Sequence, residues 1–319
     1  MLKYVIKRIL WLIPVIMGVS LIVFTLMYFA PGDPARIILG GNATVEDVEA
    51  LRETMGLNRG YFERLAEFFS NTFIHFDLGS SYITKAAISG EIINRLPRTL
   101  TLALMCMLVS LVIGVPLGII AAVKQDSVWD KLCMSFAFLG VSMPNFWLAL
   151  LLVLLFAVKL KWLPAMGYDG IQYYILPTLA ACMGGVAAQA RQSRSSMLEV
   201  IRSDYVTTAR SKGVGNIWVI LRHELPNALI PIITVAGTQF GNLLGGVIVI
   251  EQIFGIPGMG TYLVEGVFNR DYPVVQAGAI FLAIAFSLVM LCMDLLYAFV
   301  DPRIKAQYQG QSFFRKKMR

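Results

Sequence analysis

Long runs of apolar residues alternate with short polar segments along most of the chain. A helix needs about 20 predominantly apolar residues to cross the hydrocarbon core of a bilayer. Six runs approach this length, so the pattern predicts an all-α membrane protein with six transmembrane helices. The predicted spans are residues 9–29, 100–123, 132–158, 175–190, 228–250 and 274–300.

Two of these spans are irregular. The run 175–190 is short, and Gly184 and Gly185 interrupt it. Pro144 lies inside the run 132–158. Because a proline at mid-membrane frees a backbone carbonyl, we expect a kinked helix there, covered by neighbouring helices.

The chain divides into four predicted parts. Residues 1–30 form an amino-terminal transmembrane helix, whose apolar run exceeds the roughly 7–15 residues of a signal peptide, so we expect it to be retained. Residues 31–98 carry balanced charges and predict a small folded external insert, since a segment this long crosses a membrane largely regardless of charge. Residues 99–302 form the core of five transmembrane helices, and residues 303–319 form a basic tail.

Lysine and arginine in short loops predict the orientation of the helices. They collect at the amino terminus, after the second and fourth predicted spans, and in the tail, all on one side of a six-span arrangement. We therefore predict a cell-membrane protein with both termini in the cytoplasm. These residues are Lys3, Lys7, Arg8, Lys124, Lys131, Arg191, Arg194, Arg202, Arg210, Lys212, Arg222, Arg303, Lys305, Arg315, Lys316, Lys317 and Arg319.

Composition narrows the class further. Hydrophobic residues make up 57% of the chain and charged residues 15%, whereas soluble domains average about 45–50% and about 25%. The net charge of +7 lies in loops beside apolar runs and not in a basic arm, which argues against nucleic acid as a partner. The four cysteines all lie in apolar runs and form neither a disulfide framework nor a metal-binding pattern.

The basic loop 191–227, between the fourth and fifth predicted spans, has the pattern of two helices joined by a glycine turn. Ser195 or Ser196 is expected to cap the first helix, and Gly213 to end it in the left-handed conformation. The apolar positions of that helix are Leu198, Ile201, Tyr205 and Ala209.

In the second helix of this loop, Asn216 is expected to be the cap and Pro226 the end. Its predicted apolar face consists of Ile217, Ile220, Leu221 and Leu225. A basic amphipathic hairpin of this kind suits either a docking partner or an anchor at the membrane surface.

Part of the loop also contains a small-residue triplet, a glycine and a Leu-Pro pair at defined spacing. The residues are Thr207-Thr208-Ala209, Gly213 and His223-Glu224-Leu225-Pro226. In this spacing the loop resembles the ATPase-coupling signature of inward-transporting ABC permeases. Threonine stands where glutamate is common and His223 where isoleucine is common, and the stretch 205–213 looks like the form of the peptide and nickel branch.

Further blocks along almost the whole chain are similar to the same branch. They are Pro31-Gly32-Asp33-Pro34, Ser142-Met143-Pro144-Asn145-Phe146-Trp147, Ser195-Ser196-Met197-Leu198-Glu199-Val200, Glu251-Gln252-Ile253-Phe254-Gly255-Ile256-Pro257-Gly258-Met259-Gly260, Arg270-Asp271-Tyr272-Pro273-Val274 and Asp301-Pro302-Arg303. The resemblance implies the type I ABC importer permease fold.

The resemblance also implies partners. Such permeases pair with a second, similar permease, two ATPase subunits and an external substrate-binding protein, within membrane lipid. Residues of the loop would fit a groove on the ATPase: Tyr205, Thr207, Thr208, Ala209, Arg210, Lys212, Gly213, Leu225 and Pro226. Because the chain lacks G-x-x-x-x-G-K-[ST], ATP and magnesium are expected on the partners, and the chain itself is expected to be neither an enzyme nor a carrier of a cofactor or metal.

Cargo is open at this point. The branch resembled imports di- and oligopeptides, which we take as the first interpretation, and nickel, metal chelates or glutathione are alternatives with the same machinery. A secondary transporter driven by an ion gradient is a remote alternative, because the chain shows no matched pair of interrupted segments.

The fifth predicted span carries the candidates for packing and transport. Gly237, Gly241 and Gly245 recur at every fourth residue, which favours close helix packing, including packing against a second permease. Polar side chains at membrane depth usually face the bundle interior or a water-filled path. The candidates for the translocation pathway or its gate are Thr238, Gln239, Asn242, Glu251 and Pro144.

Overall fold

The computed structural model describes residues 2–40 and 42–300, so the predicted basic tail 303–319 lies outside the described residues. The described part is helical and contains no strand beyond one isolated bridge between Ser80 and Ala87. Its helices are α1 Leu2–Phe29, α2 Pro34–Leu39, α3 Val45–Thr54, α4 Tyr61–Phe69, α5 Ile88–Val123, α6 Val128–Ser142, α7 Asn145–Leu152, α8 Gln172–Ala181, α9 Met183–Ile201, α10 Asp204–Ser211, α11 Asn216–Val219, α12 Leu225–Gly246, α13 Ile248–Phe254, α14 Met259–Phe268 and α15 Tyr272–Val300. Three short π-helical segments cover Ser70–Ile74, Val153–Lys159 and Ile220–Glu224.

Within these residues, four helical stretches are long and apolar enough to cross a bilayer, and a bent pair of helices makes a fifth candidate. The four stretches are Arg8–Phe29, Ile88–Val123, Asn216–Gly246 and Tyr272–Met293. The fourth predicted span, 175–190, falls on α8 and α9, which are separate helices that meet at Cys182. The weak apolar run therefore belongs to a broken helix.

The bent pair corrects the prediction of one kinked helix over residues 132–158. It consists of Val128–Ser142 and Asn145–Lys159, whose axes meet at 96°. Met143 has φ −96° and ψ 130°, and Pro144 follows it. A proline disfavours the helical conformation of the residue before it, so the helix ends at Ser142 and a new one begins after the proline. Pro144 thus breaks the span.

The chain forms two compact units, and the larger one contains Leu100–Ile256. Its centre is α9, which packs against α6 and α12. One buried apolar cluster joins residues of α5, α8, α9 and α13, and a second joins α5, α9 and α12. Because α9 contributes to both clusters, it holds the neighbouring helices together.

The approach of α5 to α9 is too close for side chains at two positions. A Cβ built on Gly114 would lie 2.7 Å from the carbonyl oxygen of Val186, and one built on Gly118 would lie 2.5 Å from that of Ala190. Small residues four apart are the usual means by which membrane helices pack backbone to backbone. The prediction of such packing was made for another helix, α12, and this glycine pair was missed.

The second unit contains Lys7–Thr99 and Pro257–Ser287. Here the residues of the predicted insert form α2, α3 and α4, and the boundaries assigned to the insert from sequence remain a prediction. Asp33 caps α2 by accepting the N–H of Ala35, and it accepts a hydrogen bond from Arg52 of α3. Asp271 accepts hydrogen bonds from the Ser81 hydroxyl, at 2.5 Å, and from the N–H of Tyr82. These carboxylates tie the loops of this unit into one body.

The glycine contact predicts a difference between two single-methyl substitutions. Gly118→Ala should destabilise the protein by about 1–3 kcal/mol, because the new methyl has no room against α9. Gly184→Ala is the matched control, since a Cβ there meets no atom within 4 Å. Thermal unfolding of both variants in detergent measures the difference. Equal melting temperatures for the two variants would show that the helices are not packed this closely.

Candidate functional site

The basic loop contains a helical hairpin that begins later than predicted. α9 runs through Ser195 and Ser196 to Ile201, so neither serine caps the hairpin and Leu198 also belongs to α9. Ser203, with extended backbone, is the N-cap of α10, and Asp204 adds a negative charge in the first turn. A carboxylate at this end interacts favourably with the helix dipole, so the sequence at 203–204 contains its own start signal.

Gly213 ends α10 as predicted. Its φ of +79° is in the left-handed region, which glycine adopts without steric cost. The N–H of Gly213 donates to the carbonyl of Arg210, and the N–H of Val214 donates to that of Ala209. This pair of bonds is a Schellman motif, which satisfies the last carbonyls of the helix and reverses the chain.

The inner face of the hairpin is apolar. Val206 and Ala209 of α10 pack with Val219 of α11, and all three side chains are buried. Ala209 was expected to let a partner approach closely, but it contacts the hairpin's own second helix. A larger residue at this position would therefore separate the two helices before it met any partner.

The second helix of the hairpin continues directly into the membrane-crossing helix. α11 begins at Asn216 after an N-cap at Gly215, so Asn216 is the first helical residue and not the cap. The π-helical segment Ile220–Glu224 joins α11 to α12, and Pro226 lies in the first turn of α12. The predicted helix end at Pro226 is wrong. A proline is tolerated in the first turn of a helix, where its missing N–H would have no partner in the helix, and here the π-helical turn lies directly before that first turn.

A buried carboxylate braces the two sides of the hairpin. The Arg210 guanidinium lies 3.0 Å from Oε1 of Glu224, whose side chain is fully buried. Oε2 of Glu224 has no hydrogen-bond partner among the described residues, and about half of the Arg210 side chain is exposed. Arg210 was expected to pair with acidic groups of a partner, but in the structure its guanidinium pairs with Glu224.

The outer face of the hairpin combines exposed apolar and polar side chains. The predicted apolar face of the second helix is divided. Ile217 and Leu221 are exposed, whereas Ile220 and Leu225 pack against the buried cluster that contains Met197. Large exposed apolar groups on an otherwise polar surface mark contact with another protein or a membrane. The exposed residues of this outer face include Tyr205, Thr207, Thr208, Lys212, Gly213, Ile217, Trp218, Leu221 and Pro226.

A bidentate ion pair fixes α9 above the hairpin. Nε of Arg194 lies 2.8 Å from Oδ1 of Asp130, and Nη2 lies 2.6 Å from Oδ2. The hydrogen bond to Asp130 raises the pKa of the Arg194 guanidinium, so the group keeps its charge. Arg194 was predicted to lie in a cytoplasmic loop. Its partner Asp130, whose side chain is buried at the start of α6, was missed.

The polar residues of α12 point in two directions. Thr238 and Asn242 are exposed, together with Thr234 one turn earlier. Gln239 turns inward, where its Oε1 accepts a hydrogen bond of 3.4 Å from Nε2 of the fully buried Gln189 on α9. An amide pair inside the unit is structural, whereas an exposed polar stripe on a membrane helix needs water or another chain beside it.

The three glycines of α12 do not share one neighbour within the chain. Gly237 packs against the Met293 side chain, where an added Cβ would lie 2.9 Å from Cγ. Gly241 is buried, and Gly245 is exposed with no atom within 4 Å of a built Cβ. The stripe therefore begins inside the unit and ends on its surface.

The two remaining gate candidates lie apart from this stripe. Glu251 is fully buried in α13, so its side chain is enclosed within this chain. α13 ends at Gly255, whose φ of +62° is left-handed. Pro144 is exposed at the break between α6 and α7.

Two models of one transport family match the chain. The model described as binding-protein-dependent transport system inner membrane component matches residues 114–306. The model for the N-terminal part of such membrane components matches residues 1–103. Together the matches extend over both of the compact units.

Characterised relatives match over nearly the full length. The chain is 43% identical over 305 residues to glutathione transport system permease protein GsiC of Escherichia coli O6:H1 and of Escherichia coli K12, covering 96% of this chain and 99% of each relative. It is 42% identical over the same length to the GsiC protein of Shigella flexneri serotype 5b.

Solved structures match at the level of the fold. Two inward-facing crystal forms of the MetNI methionine ABC transporter align with TM-scores of 0.57 and 0.56 at 18% and 17% identity. The first alignment covers 67% of this chain and 97% of the solved one. The prediction of an all-α importer-permease fold is confirmed.

The buried carboxylate predicts unequal effects of removing either partner of the ion pair. Arg210→Met should destabilise the hairpin by about 1–3 kcal/mol, because it leaves Glu224 charged, buried and unpaired. Glu224→Gln should cost less, since the half-exposed Arg210 can turn to water. Hydrogen exchange over residues 204–224 measures both, with the exposed Arg222→Met as the control. A larger loss for Glu224→Gln than for Arg210→Met would contradict the assignment.

Proposed function

The chain belongs to the family of binding-protein-dependent transport system inner membrane components, and we propose that, as the permease of an ABC importer, it conducts small peptides of about glutathione's size. The cargo proposal is supported by relatives named as glutathione permeases that align over 96% of the chain. Glutathione was one of the alternative cargoes, and as a tripeptide it is chemically related to the di- and oligopeptides of the first interpretation. Nickel or a metal chelate is the competing cargo of the same machinery.

The main support for a role in coupling the permease to an ATPase is the hairpin of α10 and α11. Its Schellman turn, apolar interior and Arg210–Glu224 pair hold it in one shape without help from another chain. Its outer face presents exposed Tyr205 and Trp218 beside basic Lys212. We propose that this outer face, with exposed Thr207 and Thr208, docks on an ATPase subunit.

The proposed assembly contains this permease, a second permease, two ATPase subunits and an external binding protein. The exposed polar stripe of Thr234, Thr238 and Asn242 would line the path between the two permeases, and the surface end of the glycine stripe at Gly245 would lie at their contact. Closure of the ATPases would then tilt the paired permeases between inward-open and outward-open states.

We propose that ATP and magnesium bind to the partner ATPases and that this chain hydrolyses no nucleotide. The support is the missing phosphate-binding sequence G-x-x-x-x-G-K-[ST]. We also propose that this loop lies in the cytoplasm and residues 31–98 outside, in a multi-pass inner-membrane protein. The support is the basic residues of the hairpin and its flanks.

Gly213→Pro should abolish transport while the chain still inserts in the membrane. Proline cannot adopt a φ of +79° and lacks the N–H that bonds to Arg210, so the turn must rearrange. The measurements are cargo uptake by the reconstituted transporter and retention of added ATPase subunits on membrane vesicles.

Gly215→Ala is the control for this turn, because Gly215 has φ −62° and open space around a built Cβ. Inside-out vesicles that contain the wild-type protein or Gly215→Ala should retain the ATPases. Right-side-out vesicles that contain the same proteins should not. Transport by Gly213→Pro at the control rate would refute the coupling role, and retention on right-side-out vesicles would reverse the orientation.

Uptake by the complete transporter should be ATP-dependent and selective for small peptides. Radiolabelled glutathione should be taken up, excess unlabelled tripeptide should compete, and nickel chloride should not. Uptake of nickel without competition by peptide would assign the alternative cargo. Uptake that survives ATP depletion but collapses with an ionophore would instead indicate a secondary transporter.

A further inference from the structure

A cavity of about 220 Å³ lies within the second unit, between the helices of residues 31–98 and the start of α15. At roughly 30 Å³ per water molecule, it has room for a ligand the size of about seven waters, which is the size of an amino acid or small dipeptide. Phe24, Phe68 and Leu78 contribute apolar walls. The charged residues of the lining have both signs, and they are Arg64, Glu67 and Asp77.

Arg64 is the cation of this cavity. Its guanidinium carbon lies 5.2 Å from the ring centre of Tyr28 and 5.8 Å from that of Tyr272, distances at which a cation interacts with an aromatic face. Within the described residues its guanidinium makes neither an ion pair nor a hydrogen bond. A planar fork of donors, oriented by two rings and left without an acceptor, is suited to a carboxylate.

Two further donors line the same space. Gln276 is almost fully buried at 9% exposure, and its side-chain amide has no hydrogen-bond partner in the described part of the chain. Tyr82 is fixed through its backbone N–H, which donates to Asp271. Burial raises the pKa of the Tyr82 phenol, so the hydroxyl stays a neutral donor. Arg64, Gln276 and Tyr82 together supply what a bound carboxylate requires.

The carboxylates of the cavity lie at exposed positions of its lining. Oε2 of Glu67 is 2.7 Å from Nη1 of Arg59, and Oδ1 of Asp77 accepts the N–H of Gly79 at 2.8 Å. An ionised carboxylate can accept several hydrogen bonds, so both retain capacity for a further donor. The lining of the cavity therefore contains donors for a carboxylate and acceptors for an ammonium group.

We propose that this cavity binds a small zwitterion of amino-acid or dipeptide size. The ligand carboxylate pairs with Arg64 and Gln276, and its ammonium group pairs with Asp77 or Glu67. All of these residues belong to one compact unit, and the site does not depend on which cargo crosses the membrane. It is a place where the outer part of the permease can sense or hold such a molecule.

Equilibrium dialysis of the purified transporter, prepared without its binding protein, tests the proposal with radiolabelled glycylglycine. Saturable binding is expected, and Arg64→Gln should weaken it about tenfold, as expected for loss of a hydrogen-bonded charge. Arg36→Gln is the control, because Arg36 belongs to the same unit, is exposed and does not line the cavity. Glycylglycinamide, which lacks the carboxylate, should compete poorly.

A second variant protects the test against misfolding. Gln276→Leu keeps the volume of the side chain and should also weaken binding, and melting temperatures confirm that each variant is folded. Gly213→Pro should bind the dipeptide normally even where it fails to transport. Absence of saturable binding to the wild type, or equal affinity in Arg64→Gln and wild type, would overturn the proposal.

Discussion

The contact between the α5 and α9 backbones at Gly114 and Gly118 is the constraint on which the larger unit depends. In lipid, apolar side chains gain little by facing each other, so helices associate through close packing and internal polar contacts. Here the carbonyls of Val186 and Ala190 occupy the space that a side chain on α5 would need. With α9 held in this way, its other faces can bind Asp130 on α6 through Arg194 and Gln239 on α12 through Gln189.

The hairpin of α10 and α11 depends on the position of α9. Met197, near the end of α9, lies in one buried cluster with Ala228 and Ile232 of α12. The helices that enter and leave the hairpin are therefore packed together at its base. Above this base the hairpin needs only a left-handed glycine, three small or branched apolar residues and one ion pair to keep its shape. A docking element of this kind can be exposed on all its outer side without losing order.

Much of this architecture could be predicted from local sequence rules. Apolar runs located the long helices, and the glycine at 213 located the turn, because both signals act within a few residues.

The errors occur where contacts across the fold override a local rule. Pro226 lies in a continuing helix because a π turn precedes it, and Ala209 faces inward because Val219 lies opposite. Asp130 is separated from Arg194 by 64 positions, a spacing that no helical or strand period relates. The cavity around Arg64 combines residues from 24 to 277 and could not be assembled without the fold.

The unbroken path from the hairpin into the membrane has a mechanical consequence. Asn216–Gly246 is one helical stretch of 31 residues, about 46 Å long at the usual rise. Such a rod acts as a lever, because a tilt of a few degrees at the hairpin end displaces the opposite end by several ångströms. The π-helical turn at Ile220–Glu224 lies close to the hairpin end of this rod, and it is where the rod departs from α-helical geometry. A force applied to the hairpin therefore either bends this turn or passes through it into α12. Glu224 lies in the turn, so its ion pair with Arg210 stabilises the long helix as well as the hairpin.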